Sequence, residues 1–428
     1  MIPGIQDRKE RLVGLVDCNN FFVSCERTVD SRLEGRAVVV LSNNDGCVVA
    51  RSNEAKRMGI RMGQPAFEIR DHISAGRLIA LSGNHLLYRE ISIRIHDIFR
   101  RFAPATADYS VDEAFLDMEG IPSTRLRAIG EAIVKACYEE EHIPVTIGFA
   151  PSKTLAKVAT EVGKKQGERV ILLMEESQWQ PLLEKLPVSD IWGIGRRIAK
   201  RLYGESIYTA AQFAALPAIR IRKELGITGE RTWRELHGES CIELSHLERP
   251  LQDSISETRT FPEDIDDYDY LRARIALYCA HVGKRMRSQG GQCGEISVFL
   301  RTNRFHTERG YYAPTASGRF DPPVSDTPNL TSRAMKLLEQ IYHPGIGYKR
   351  AGVILSRITP ISNVAPSLFE EIEDENQRRR KALQLMKAID SLNTNPRKQT
   401  IQLASQLSIR HLGHNDGYSS SFGPAKEI

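Results

Sequence analysis

No apolar run in this sequence approaches the roughly 18 residues that a membrane-spanning helix needs. The polar, charged opening from Met1 to Glu10 does not read as a secretory leader. The seven cysteines contain no CxxC pair and no regular spacing, which argues against a zinc site or a disulfide framework and suits a reducing cytosol. A strong excess of one charge sign is also lacking: Lys and Arg number 59 against 54 Asp and Glu. That near-balance is compatible with nucleic acid without requiring it, because the arrangement of charge matters more than its sum. No internal repeat is visible. What remains is an ordinary globular composition, 41% hydrophobic and 26% charged, spread over 428 residues. A chain of that length divides into several domains rather than filling one core.

Elements are legible along the chain. Leu12 to Val16 is a short apolar run that predicts a buried strand ending on Asp17. Arg36 to Leu41 predicts a second, stopped by the turn residues Asn43, Asn44, Asp45 and Gly46. A short helix is expected from about Asn53 to Met58, closed by Gly59, and a longer one from His85 to Phe102 with Leu86, Ile91, Ile95 and Ile98 or Phe99 as its apolar stripe. Asp108 to Met118 alternates in part and predicts a β-hairpin. A helix from Arg125 to Glu141, a strand from Val145 to Phe149 and a helix capped by Ser152 follow. Strand, helix, hairpin, helix, strand is the order of a ferredoxin-like palm, here with a long insertion after the first strand. Beyond it, Leu186 to Gly238 is expected to be helical, Glu248 to Glu257 a linker, and Ser256 to Ile358 a separate α+β domain with helices at Tyr270 to Gln289 and Asn329 to Tyr342. From Thr359 the chain is polar, with one helix expected near Asn376 to Leu392.

Three acids carry the chemistry. Asp17 ends a strand, and Asp112 with Glu113 falls in the hairpin; in a ferredoxin-like palm the first strand lies beside the central hairpin, so they can converge. Oxygen ligands holding two hard divalent cations roughly 3.5–4 Å apart are what in-line displacement at a phosphate needs. An Asp-Glu pair alone is more often two surface acids, but a charge directly after a buried strand needs a partner. The acids by themselves do not separate polymerases from cyclases or nucleases.

Longer strings narrow the choice. Asp17-Cys-Asn-Asn-Phe-Phe-Val-Ser-Cys-Glu26 resembles the opening motif of Y-family DNA polymerases. Leu41-Ser-Asn-Asn-Asp-Gly-Cys-Val-Val-Ala-Arg51, Tyr109-Ser-Val-Asp-Glu-Ala-Phe115, Lys153-Thr-Leu-Ala-Lys157 and Ile191-Trp-Gly-Ile-Gly-Arg-Arg197 resemble its UmuC branch. The similarity runs from about Leu12 to about Ile358 and more faintly beyond. It implies an α+β right-hand polymerase: a palm (11–28 and 84–185), small fingers (29–83), a thumb with a helix-hairpin-helix (186–248), a little finger (249–358) and a partner-binding tail (359–428). It also implies roles. Asp17, Asp112, Glu113 and the Cys18 carbonyl would bind two Mg²⁺, and Phe22 would be a steric gate excluding a 2′-hydroxyl, with Phe21 left to core packing. Lys56 and Lys164 would clasp the triphosphate, with Lys165 an alternative to Lys164. Asn53, where other members carry Tyr, has no assigned role.

Ile191 to Arg201 has the form of a helix-hairpin-helix. Gly193 and Gly195 let backbone N–H groups approach a phosphate, and Arg196, Arg197, Lys200 and Arg201 add charge; the alternative is a glycine-closed turn between packed helices. Lys284, Arg285, Arg287, Arg301, Arg304, Lys349 and Arg350 give the expected little finger its own basic character. The tail lacks the glutamine of a sliding-clamp motif but keeps Leu368-Phe369, and the basic amphipathic helix near 376–392 is suited to dock a partner. The resemblance implies damaged primer-template DNA, dNTPs, a UmuD-type processed dimer, a RecA filament and, on the weak motif, a sliding clamp as partners, with no membrane, in a bacterial, nucleoid-associated cytoplasmic setting. The expected activity is error-prone translesion synthesis in an SOS-type response, since no second large segment is left for a proofreading exonuclease. A catalytically silent DNA-binding adaptor and a palm-based cyclase are the rivals.

Overall fold

The computed structural model describes residues 11–42, 45–242, 251–305, 310–361, 372–393 and 400–406, with 372–380 as backbone only. These residues fall into two compact units, 11–242 in the first and 251–406 in the second. No helix among them is long and apolar enough to cross a membrane.

The first unit begins with β1 (Val13–Cys18), α1 (Phe21–Val29), β2 (Val38–Leu41), β3 (Val48–Arg51), α2 (Asn53–Arg57), α3 (Arg70–Ser74) and β4 (Ile79–Ser82). It continues through α4 (His85–Arg100), β5 (Ala105–Asp108), β6 (Glu113–Asp117), α5 (Ser123–Glu141), β7 (Val145–Ala150), α6 (Lys153–Gln166) and β8 (Val170–Leu172). Helices α7 (Glu176–Lys185), α8 (Arg196–Gly204), α9 (Ala210–Ala214) and α10 (Ala218–Leu236) complete it, α10 being broken at Gly226.

The main sheet has the order β5-β6-β1-β7-β8, with β1 antiparallel to both β6 and β7. Without β8 this is the ferredoxin-like order expected from the sequence. The chain between α1 and α4 makes a separate three-stranded sheet, β3-β2-β4, over a small core of Val39, Leu41, Val48, Ile60, Ile69 and Leu78. On α4, Ile91, Ile95, Ile98 and Phe99 are buried as expected, but Tyr88 takes the place expected for Leu86, which is only partly covered.

Helices α7 to α10 do not form a core of their own. Trp179, Ile191, Ile194, Phe213 and Leu236 pack with Leu15, Phe115 and Leu155 on the α6 side of the main sheet. Glu235 of α10 is fully buried where it meets the start of α6. Its Oε2 accepts from the Thr154 amide and hydroxyl at 2.8 and 2.9 Å, satisfying donors that a helix N-terminus leaves open.

The second unit contains β9 (Ser254–Ile265), α11 (Tyr268–Arg287), β10 (Gly291–Arg301), β11 (Thr315–Val324), α12 (Thr327–Ile341), β12 (Tyr348–Pro360) and α13 (Ile372–Leu392). Its sheet has the order β11-β10-β12-β9, and α11 and α12 pack on it around Leu271, Val282, Ile296, Val298, Leu338 and Val353. Two expectations change here. The stretch read as a linker up to Glu257 is already strand from Ser254, and β11 was not expected at all. Both are edge strands with mostly polar outward positions, and β11 carries Pro322 and Pro323, which an edge tolerates.

The expected tail helix exists, but its described end packs on its own unit. Met386 is buried, Asp390 forms a paired bond with Arg287 at 2.7 and 2.8 Å, and Lys284 donates to the Asn393 carbonyl at 2.5 Å. Lys284 and Arg287, counted among the basic residues of the expected little finger, are therefore engaged within the fold, and Arg285 contacts Ser256 and Glu257.

Candidate active site

Strand parity assembles the site. Along β1, Leu12, Val16 and Cys18 enter the core beneath α4 and α5, whereas Val13 and Leu15 enter the core beneath α6. Asp17 continues the second series, so its carboxylate faces α6. Its register partner on β6 is Glu113, and facing residues on adjacent strands lie about 5 Å apart. Asp112 precedes β6; its carbonyl accepts from the Cys18 amide at 2.9 Å, and its carboxylate accepts from the Ser110 hydroxyl at 2.5 Å.

Two lysines of α6 meet these acids. Lys157 and Lys164 stand seven residues apart, two helical turns, and so share a face. Lys164 Nζ lies 2.6 Å from Asp17 Oδ2 and 3.1 Å from Glu161 Oε1, and Lys157 Nζ lies 2.8 Å from Glu113 Oε1. The helix can come this close because β7 carries Gly148: a Cβ there would stand 2.6 Å from the Ala156 carbonyl oxygen.

Burial pushes the Asp17 carboxyl up to about 8, against the pull of Lys164, and its hydrogen bond with Glu113 adds to the rise. Glu113 moves the other way: burial alone would raise it, but the hydrogen bonds from Asp17 and Lys157 outweigh that and hold it low. The two carboxyls are thus pushed in opposite directions by their surroundings.

One cleft of about 340 Å³ is lined by Asp17, Cys18, Phe22, Lys56, Asp112, Glu113 and Lys164, all singled out in the sequence. Phe22 is half-buried at its edge, while Phe21 is buried in the core beneath α4. Lys56 is exposed at the rim; partial burial of its ammonium group, then the nearby cations Arg51 and Lys164, pull its pKa down. Cations crowded at one end of a cleft favour a polyanion there.

Two further residues of the site, Arg51 and Lys157, end the motifs Leu41 to Arg51 and Lys153 to Lys157 but received no role from them. Arg51 lines the cleft and donates to the Ile60 carbonyl at 2.6 Å, while its Nε is buried with no hydrogen-bond partner among the described residues. Lys157 holds Glu113. Its signal was present in the seven-residue spacing to Lys164. Arg51 stands directly before the Ser52 cap of α2. Asn53, left without a role, accepts from the Asn20 amide at 3.1 Å.

The carboxylates of Asp17, Asp112 and Glu113 offer only hard oxygen donors, the kind that magnesium takes. Among the described residues no three His, Cys, Asp or Glu side chains already stand as a metal-ligating cluster. Instead, the ammonium groups of Lys157 and Lys164 balance the charge of the pair, a balance that divalent cations are able to take over. The residues fit such an ion.

The Gly193 to Arg201 segment opens α8. Ile191 and Ile194 are buried, and Gly193, Gly195, Arg196, Arg197 and Lys200 are exposed between and beyond them. Gly193 has φ +93°, and a Cβ there would meet Thr232 Oγ1 at 2.8 Å, so only glycine suits it. Among the described residues Arg196, Arg197 and Lys200 form no ion pair. Arg201 does, with Glu205 at 3.5 Å and with Glu224, so its charge is spent within the fold. Trp192 Nε1 donates to Tyr109 Oη at 2.9 Å, tying this segment to the hairpin that carries Asp112. Leu368 and Phe369 lie outside the described residues.

Residues 16–161 match the impB/mucB/samB family, residues 252–368 the C-terminal domain of that family and residues 176–204 the IMS family HHH motif. Protein UmuC of Salmonella typhimurium (strain LT2) is 35% identical over 92% of this chain and 93% of its own length. The chain belongs to the impB/mucB/samB family. Within it, Protein SamB of Salmonella typhimurium is 36% identical over 92% of this chain and 93% of its own length. DNA polymerase IV 1 of Bacillus subtilis (strain 168) is 28% identical over 68% of this chain and 70% of its own length. Among solved structures, the Y-family DNA polymerase chimera Dbh-Dpo4(243-245)-Dbh aligns with a TM-score of 0.65 over 82% of this chain and 99% of that one, at 22% identity, a likeness of fold. As an impB/mucB/samB member of this kind, the chain is a UmuC-like Y-family DNA polymerase.

Proposed function

We propose that the cleft beneath α6 is the nucleotidyl-transfer site of this translesion DNA polymerase, with Asp17, Asp112, Glu113 and the Cys18 carbonyl as the ligands of two Mg²⁺. The observation that carries this is the convergence of Asp17, Asp112 and Glu113 on one cleft with Phe22, Lys56 and Lys164. Bound to these oxygens, divalent cations would lower the pKa of a primer 3′-hydroxyl and offset the charge on the leaving pyrophosphate. The protein's own groups do the rest. Phe22 presents a ring at the cleft edge, where it excludes a sugar bearing a 2′-hydroxyl. Lys56 and Lys164 take the triphosphate, and Arg51 adds a third cation at the same end. Lys157 keeps Glu113 ionised. Val49 and Ala50, small residues of β3, line the same cleft and leave room opposite a distorted template base.

Gly193, Gly195, Arg196, Arg197 and Lys200 hold the DNA backbone without reading sequence, as exposed amides and unpaired cations at a helix start do. The domain limits follow the resemblance: palm 11–28 and 84–185, fingers 29–83, thumb 186–248, little finger 249–358 and tail 359–428. The partners are damaged primer-template, dNTPs, a UmuD-type processed dimer and a RecA filament, in the cytoplasm at the nucleoid, with a weak sliding-clamp contact through Leu368 and Phe369.

The test is primer extension across a template abasic site with Mg²⁺, a RecA filament and a UmuD-type dimer, comparing wild type with Asp112→Ala. Extension that vanishes in the variant supports the assignment. A folded, DNA-binding protein that extends nothing with either Mg²⁺ or Mn²⁺ would point to a catalytically silent adaptor.

A further inference from the structure

The ring of Phe22 is backed by a second ring. Tyr88 of α4 lies parallel to it, with centroids 4.4 Å apart and planes inclined by 14°. The other aromatic neighbours meet it obliquely or edge-on: Phe21 at 5.8 Å and 49°, His85 at 6.0 Å and 89°. Tyr88 is itself fixed at its far end. Its hydroxyl donates to Glu26 Oε1 at 2.5 Å, and both residues are buried. Glu26 stands four residues after Phe22 on α1, so the two side chains rise from the same face of one helix. Phe22, Tyr88 and Glu26 thus form a closed triangle: helix, stack and hydrogen bond.

Packing alone does not account for this arrangement. Glu26 is wholly buried, burial raises its pKa against the opposing Tyr88 hydrogen bond, and its Oε2 has no partner among the described residues. A buried carboxyl oxygen without a partner is costly, and two apolar side chains would fill the same space without that cost. What the carboxyl supplies that they cannot is an anchor, because the hydrogen bond fixes the position and depth of the far end of the Tyr88 ring.

We propose that Tyr88 and Glu26 are positioning residues for sugar selection, holding the Phe22 ring plane where a 2′-hydroxyl cannot pass. The inference rests on Phe22 acting at the sugar of the incoming nucleotide. A ring rejects a hydroxyl only while it cannot tilt, and Phe22 is half-buried, with one face against Tyr88 and its edge in the cleft. The stack removes the tilt, and the Glu26 hydrogen bond keeps the stack in register.

The experiment is single-nucleotide insertion by the full chain, with whatever partners extension requires, comparing kcat/KM for a deoxynucleoside triphosphate and its ribonucleotide counterpart. Phe22→Ala is the control for the gate itself. Tyr88→Leu should lower the deoxy-to-ribo ratio by about ten-fold, the scale on which shape alone discriminates. Tyr88→Phe, which keeps the stack, should lie nearer wild type, and Glu26→Gln, which keeps an acceptor for the hydroxyl, nearer still. Thermal melts followed by circular dichroism establish that each variant is folded. If Phe22→Ala relaxes the ratio but folded Tyr88→Leu and Glu26→Leu keep the wild-type ratio, even with both activities lowered, the backing role is overturned while the gate stands. If Phe22→Ala leaves the ratio unchanged, the gate assignment fails and this inference fails with it. Should Tyr88→Leu not fold, the ratio in Tyr88→Phe and Glu26→Gln decides: a stepwise fall supports the proposal and an unchanged ratio in both overturns it.

Discussion

At the scale of single residues, the Asp17–Glu113 pair sets how the site meets a cation. Burial pushes the Asp17 carboxyl up to about 8, so a divalent ion taken up by the proposed ligands Asp17 and Glu113 would displace a proton. Mn²⁺ affinity should therefore rise as pH increases from about 6 towards 8, with net proton release below that point. Calorimetric titration in two buffers of different ionisation enthalpy reads the release directly; binding with no pH dependence and no released proton would contradict a raised Asp17 pKa. Lys157 acts on the same pair from the other side. Without its ammonium group Glu113 loses part of what opposes burial, so Lys157→Met should raise the Glu113 pKa, move the acid limb of the pH–rate profile upward and lower kcat about ten- to hundred-fold. Sequence alone made Asp17, Asp112, Glu113 and Phe22 visible, because strand ends and long motifs mark them. The same motifs contain Lys157 and Arg51 but gave them no role, because their roles arise from which face of α6 and which end of β3 meet the acids, and that is a matter of packing.

At the scale of elements, the approach of α6 to the sheet is held by Glu235 as much as by apolar contact. Removing its side chain in Glu235→Ala leaves the Thr154 amide and hydroxyl buried without acceptors, a loss of about 2–4 kcal/mol that chemical denaturation should register. Because α6 carries both Lys157 and Lys164, activity should fall even at temperatures where the variant remains folded. Gly193→Ala tests the α8 hairpin in the same way: its φ of +93° and the 2.8 Å approach to Thr232 predict at least about 1 kcal/mol of destabilisation, together with weaker binding to a primer-template in a salt titration. Three of the elements that escaped the sequence have evident physical reasons. Strands β9 and β11 are edges with few inward apolar side chains, so their alternation is faint, and α7 carries Pro181 within its length. The central strands β1, β2 and β7, buried on both faces, announced themselves as continuous apolar runs.

At the scale of the whole molecule, two units with separate cores should unfold separately, giving two calorimetric transitions rather than one. The second unit carries its own acid sensitivity. Burial would raise Glu257, but His281, Arg259 and Arg285 together hold it below the usual carboxylate value. A carboxylate with a lowered folded pKa contributes stability that is complete above about pH 4.3 and is lost as the pH falls through the folded value. The transition assigned to the second unit should thus move to lower temperature below about pH 4, and Glu257→Gln should flatten that dependence; an unaltered slope in the variant would remove Glu257 as its source. In the same unit the Arg287–Asp390 pair predicts that Asp390→Ala frees the end of α13, seen as faster hydrogen exchange there while the sheet stays protected.

The pairing of Asp17 with Glu113 across β1 and β6 has a consequence for how this chain can vary. A one-residue insertion or deletion in either strand would turn its carboxylate from the cleft to the far face of the sheet, among Val16, Leu116, Ile95 and Ile133. A charge delivered there has neither lysine nor water to receive it, so the altered chain would fail at folding before it could fail at catalysis. Along these two strands the sheet acts as a reading frame, and changes of length are screened by the core rather than by the reaction.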